Sequence, residues 1–200
     1  MAAPRRLDLP HLVVVREGND VMKRVSEIGV ILAVTALVAV SARIAVPIPG
    51  TPVPVTLQDL AVLAVGVLLG PVRGGVAIAS YLVIGAMGAP VFSNGNGGLP
   101  WLMGPTGGYL LAFPVSAFVI GHASRSGRLW ALVLGVVTAQ LVVFGLGVGQ
   151  IALISSATLQ EAISLGLVPF IPGMALKSVL ITIFGTAIAA HRRSSAGGAP

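Results

Sequence analysis

The run Leu129–Ile154 holds 26 consecutive residues without a charged side chain, more than the ~20 apolar residues that cross a bilayer as a helix. A water-soluble domain has no place for such a run. Five further stretches are predominantly apolar: Val25–Val46, Thr56–Leu69, Val76–Met87, Gly107–Gly121 and Gly173–Ala190. Charged residues make up only 9% of the chain, against about 25% in soluble domains. The reading is an all-α integral membrane protein, a bundle of six transmembrane helices. The second and third spans are short, and the second, at roughly 21 Å of helix, is expected to start below the membrane surface. The fifth is long enough to tilt.

Three segments follow from this pattern. Residues 1–24 are mixed and charged, and form a cytoplasmic N-terminal leader whose start is expected to be disordered. Residues 25–190 are the six-helix membrane domain, and residues 191–200 a cytoplasmic tail. Between the spans, Gly70–Gly75 reads as a tight turn carrying Arg73, and His122–Arg128 as a short basic connection. Ser155–Pro172 reads as a short amphipathic helix followed by a proline-bracketed turn.

Charge tests the count. Six spans put both termini, the 70–75 turn and the 122–128 connection on one side, and that side collects ten of the twelve Lys and Arg residues. The excess of basic residues in cytoplasmic loops then places both termini inside the cell. It also explains the net charge of +6 without nucleic acid. With no cysteine, disulfides, iron–sulfur clusters and zinc–thiolate sites are excluded. His11, His122 and His191 lie far apart in sequence, and no metal site is expected.

The connection Ala89–Tyr109, APVFSNGNGGLPWLMGPTGGY, is 21 residues long and uncharged, whereas most helix connections need about 2–8. Glycine lets backbone approach a ligand closely. Irregular backbone at membrane depth persists only where protein or a water-filled cavity covers its polar groups. This stretch is therefore expected to close an outward-facing ligand pocket, together with the Pro47–Pro54 segment. Uncharged polar candidates for its lining are Gln58, Asn94, Asn96, Thr106 and Tyr109, with Phe92 and Gly97 from the same connection.

Two cations break the apolar pattern, Arg43 near the outer end of the first span and Lys177 about one turn into the sixth. An ionisable residue inside a span is a functional candidate by default, although Arg43 has a stem long enough to reach the outer headgroups. Lys177 follows Pro172-Gly173, and an ammonium beside a helix N-terminus suits a carboxylate. Asp59 is expected to pair with Arg43, since the two flank one proline-rich hairpin. Glu161 reads as a solvated helix face. A pocket with apolar walls, amide side chains and one lysine fits an amphiphilic carboxylic acid with an amide-like head group.

Small residues recur four apart in the first span (Gly29 and Ala33, Thr35 and Ala39, Ser41 and Ala45). That spacing permits close helix approach, and serves packing inside the bundle or docking to another membrane subunit equally well. The chain lacks the GxxxxGK[ST] phosphate loop, and no catalytic side-chain cluster gathers at the pocket, so an enzyme is not expected. A solitary ion-coupled carrier would place acids or histidines within its spans. Only Glu27 and Asp59 come near, each at a span end.

The segments PVPVTLQDLAVLAVGVLLGPVRGG, GAPVFSNGNGGLPWLMGPTGGYLL and LVPFIPGMALK closely resemble the BioY family, the substrate-binding S components of energy-coupling-factor biotin transporters. The resemblance covers about residues 30–185. It implies six helices, biotin captured from outside, no cofactor, and partnership with a membrane-embedded T component and two cytoplasmic ATPases. Docking of the T component would then fall on the first span, at Ala33, Ala36 and Ala39. Two departures from the family pattern stand out. An acid expected three residues before Lys177 to bind the ureido ring is replaced by Met174, and the fifth span has Gln150 where an aromatic residue is usual. Gln150 would supply a replacement polar contact, or the ligand would be a relative of biotin.

Overall fold

The computed structural model describes residues 10–197, with side chains from 21 to 195. The start of the expected leader, with Arg5 and Arg6, lies outside the described residues. Helix α1 spans Pro10–Arg43. It runs unbroken across residue 24, where the leader was expected to give way to the first span. Pro10 sits at the helix start, where a missing N–H costs nothing, and the next proline is Pro47.

After Arg43 the chain makes a two-stranded hairpin, β1 (Ala45–Val46) and β2 (Val55–Thr56), antiparallel with Ala45 opposite Thr56. The proline-rich segment between them cannot pair further, because proline has no N–H to donate. Helices α2 (Gln58–Leu69) and α3 (Pro71–Ala86) follow. They are separated by Gly70 alone, at φ 82°, a left-handed conformation that glycine adopts without penalty. The expected 70–75 turn therefore shrinks to one residue. Pro71 opens α3, and Arg73 lies in its first turn, paired with Glu27 of α1.

The long connection is not irregular throughout. It contains a 3-10 turn at Ser93–Gly95 and a short helix α4 (Leu99–Met103), and its last residues already belong to α5 (Gly107–Arg125). Helix α6 spans Leu129–Ser155 and α7 spans Leu159–Gly166. Thr158 and Glu161 close the start of α7 as a capping box, each side chain bonding the other's backbone N–H. After a 3-10 turn at Val168–Phe170, helix α8 runs Ile171–Gly197. Pro172 and Gly173, read as part of a turn, form its first turn instead. Lys177 consequently lies nearly two turns into its helix rather than one.

Among the described residues four helical stretches are long and apolar enough to cross a membrane: Val21–Arg43, Gly107–Arg125, Leu129–Ser155 and Leu159–Ser195. Helices α2 and α3 are apolar but shorter. Helix α5 is central, packed against α2, α3 and α6, while α1 and α8 flank the bundle. Where α5 crosses the α2–α3 corner, a Cβ on Gly121 would lie 2.6 Å from the carbonyl carbon of Gly70 and 2.7 Å from the nitrogen of Pro71. Glycine is required there by distance. One core cluster, around Tyr81, Phe92, Phe113 and Ile151, underlies the hairpin end. A smaller one, around Leu63, Ile120, Leu132 and Ile181, fills the other end.

Candidate functional site

The hairpin end of the bundle encloses a cavity whose walls come from β2, α2, α5, α6 and α8. Its empty space, counted with the mouth open to solvent, is about 610 Å³. Val53 to Thr56 form one rim, because the hairpin folds the proline-rich segment back over the start of α2. The opposite wall is aromatic. Tyr109 and Phe144 meet edge to face with centroids 5.9 Å apart, and Phe170 lies 5.9 Å from Phe144. The Tyr109 hydroxyl donates to the Gly166 carbonyl at 2.7 Å, which fixes the ring to the end of α7.

One ion pair crosses the cavity. Lys177 Nζ donates to Asp59 Oδ1 at 2.6 Å and to the Thr56 carbonyl at 2.6 Å. The two side chains are only 10% and 16% exposed. This corrects the expected Asp59–Arg43 pair: proximity along the hairpin suggested it, but the turn of α2 directs Asp59 inward. Arg43 instead donates to the Pro90 carbonyl at 3.1 Å and lies over the backbone of Gly95. It clasps the long connection to the end of α1.

Gln58, beside Asp59, is buried at the cavity wall. Its amide donates to the Tyr81 hydroxyl at 2.7 Å, and that hydroxyl donates to the Val91 carbonyl at 2.9 Å. The relay joins α2, α3 and the connection. Among the described residues no hydrogen bond engages the Gln58 side-chain carbonyl, which leaves it available as an acceptor.

Of the candidates read from sequence, Lys177, Gln58, Tyr109, Thr106 and Met174 come together around this cavity. Asn96, Gly97, Phe92 and Gln150 do not line it. Asn96 bonds the Ser93 carbonyl at 2.8 Å and shapes the connection from within. Gly97 packs on the Ala89 backbone. Phe92 is fully buried against Tyr81, edge to face at 5.7 Å, with Gly85 beneath the ring. Gln150 donates to the carbonyls of Leu102 at 2.9 Å and Gly104 at 2.6 Å, pinning the connection to α6. Asn94 is exposed, at φ 56°. These residues bond within the connection or pin it to α6, whereas Ser93 and Thr106 of the same connection reach the cavity. Sequence reading missed Asp59 as the partner of Lys177, and with it Ser93, Phe113, Val143, Phe144 and Phe170. An aromatic or valine in an apolar span carries no signal separating core from cavity wall.

Chemically, the site offers apolar and aromatic walls, one ammonium, one carboxylate and one free amide carbonyl. Among the described residues no group of three or more His, Asp or Glu could hold a metal. Such an arrangement suits an amphiphile with an anionic end.

On the other flank, Ala33 and Ala36 are exposed on α1 and Ala39 is half-buried. The buried face of this helix carries Val34, Val38 and Ala42 instead.

Known proteins share this architecture. The chain is 42% identical to the biotin transporter BioY of Thermotoga maritima over 138 residues, covering 68% of this chain and 80% of that protein. It is 35% identical to the probable biotin transporter BioY of Pyrococcus horikoshii, covering 74% and 86% respectively. The fold matches a crystal structure of the S-component for biotin from an ECF-type ABC transporter with a TM-score of 0.74 and 26% identity, over 86% of this chain and 93% of that one. The model of the BioY family spans residues 15–194, taking in every wall of the cavity and both helices that carry its ion pair, and the chain accordingly belongs to the BioY family.

Proposed function

We propose that this chain is the substrate-binding subunit of a biotin transporter, capturing biotin from outside the cell for uptake driven by partner ATPases. It is a transport component and not an enzyme. The observation that carries the reading is the Lys177–Asp59 pair set into an otherwise apolar, aromatic-walled cavity. Lys177 meets the ligand's carboxylate, the aromatic wall takes its apolar chain and ring, and Gln58 accepts from the ureido N–H groups. Asp59 brings a carboxylate to the same lysine that the absent acid at Met174 would have flanked. If the ligand is a relative of biotin, Met174 is the residue that selects it.

Six spans complete the picture, with α2 and α3 crossing as shorter helices beside the four long ones. The membrane domain covers residues 25–190, with α1 emerging from it near Arg24 toward the 1–24 leader. Among the described residues Lys23, Arg24, Arg73, Arg125, Arg128, Arg192 and Arg193 lie toward the end away from the cavity, which supports both termini facing the cytoplasm and the cavity opening outward. The exposed small side chains Ala33 and Ala36, with Ala39 at the edge, let a membrane-embedded T component lie close against α1. Uptake of labelled biotin in cells lacking any biotin transporter is the test. The reading predicts uptake only when T component and ATPases are expressed with this chain. Equal uptake by the chain alone would make it a solitary carrier.

A further inference from the structure

At the end of the bundle opposite the cavity, α6 begins and α8 ends beside one another, and a cleft of about 140 Å³ lies between them. Leu132, Gly185 and Ala189 line it together with the hydroxyl-bearing Ser124 and Thr186. Arg128 and Arg193 stand at its mouth. The Arg193 guanidinium reaches across to the Gly127 carbonyl, which fixes that arginine at the cleft. Arg128 differs: among the described residues no hydrogen bond or ion pair engages its guanidinium.

We infer that this cleft binds the headgroup phosphate of an anionic membrane lipid, with the acyl chains running outward over the first turns of α6. Three observations converge on that ligand. The two arginines supply planar, multidentate donors suited to phosphate oxygens, and a basic pocket between helices at a membrane surface is a recognised form of headgroup site. No carboxylate lines the cleft to compete for them. The flank beside the mouth exposes Leu129, Trp130 and Val133, an apolar surface with an indole at the depth where aromatic rings meet headgroups. A soluble phosphate would have no use for that flank. The neighbouring Arg192 is engaged elsewhere: it donates to the carbonyls of Val67 at 2.9 Å and Leu68 at 3.1 Å, closing the end of α2.

The site is independent of the biotin reading, and its test does not involve biotin. Purified protein in neutral detergent is titrated with phosphatidylglycerol, with phosphatidylcholine of the same acyl chains, and with inorganic phosphate. Bound lipid is counted by native mass spectrometry and the unfolding midpoint is followed in parallel. Phosphatidylglycerol is expected to bind and to raise the midpoint, and neither of the others to do so. Arg128→Glu, which breaks no contact within the protein, should weaken that binding at least fivefold, roughly the effect of one basic residue at an anionic surface. Lys23→Gln, which removes a charge from exposed α1, should leave binding unchanged. Arg193→Ala is a second variant, read by lipid counting even if its lost tether lowers the midpoint. Equal retention of the two lipids, full binding by Arg128→Glu, or the same midpoint rise from phosphate alone would each overturn the assignment.

Discussion

Lys177 on α8 and Asp59 on α2 meet at 2.6 Å across the cavity, two residues 118 positions apart in the chain. The ion pair ties the start of α8 to the start of α2 and sets the polarity of the site. In a surrounding this apolar the pair is not chiefly a stabilising device, since desolvating two charges offsets most of their attraction. The second task proposed for Lys177 is holding the ligand's carboxylate.

Lys177→Ala should lower biotin affinity by roughly 10- to 100-fold, the worth of a charge-assisted hydrogen bond. It also leaves Asp59 buried without its partner, at a cost of about 3–5 kcal/mol in stability. The double variant Lys177→Met with Asp59→Asn separates the two effects. Its unfolding midpoint should recover while affinity stays low. Unchanged affinity in either variant would remove Lys177 from the site.

Gln150 holds the Leu102 and Gly104 carbonyls, and the role proposed for it toward the ligand is through this connection. Gln150→Leu frees the connection that closes the cavity. The expected result is a loss in affinity of roughly tenfold, on the order of one or two hydrogen bonds, taken mainly as faster release. Stopped-flow measurement of binding and release reads the split. A loss confined to the association rate would contradict the closure role.

Gly121→Ala should cost about 1–3 kcal/mol or more, since the added methyl meets rigid backbone at the α2–α3 corner. Gly145→Ala on α6 is the matched control, with nothing within 4 Å of the new carbon. Thermal unfolding of both variants in one detergent should show a lowered midpoint for the first alone.

Ala36→Trp places a large side chain on the exposed face of α1 proposed for the T component. Co-purification with that component should fall sharply while biotin binding by the isolated chain is retained. Undiminished co-purification would place the docking surface elsewhere.

The helices were legible because long uncharged runs leave few alternatives to a membrane-spanning segment. The run Leu129–Ile154 became α6 (Leu129–Ser155) almost residue for residue. Their ends were less legible. Gly70 sufficed for the turn assigned to six residues, and α1 carried on past the charged residues 16–24, because neither place has a second element to stop a helix. Lys177, Gln58, Tyr109 and Thr106 were readable as polar groups in apolar company. Asp59 was seen but given the wrong partner, since only packing of α8 against α2 brings Lys177 to it. Asn96, Gly97 and Phe92 were drawn to the cavity by the composition of their connection. Hydrogen bonds inside that connection (Asn96 to Ser93, Phe92 N–H to Asn96) hold them away, and such local folding leaves no periodic trace.

Calorimetric titration of biotin into the purified, detergent-solubilised chain tests the central claim most directly, with lipoic acid as the control and desthiobiotin as the comparison. The account predicts tight one-to-one binding of biotin, with Met174 and the Lys177–Asp59 pair as they stand, and no binding of lipoic acid. Absence of biotin heat from a sample with an intact cooperative unfolding transition would contradict it, and would mean that this cavity holds another ligand.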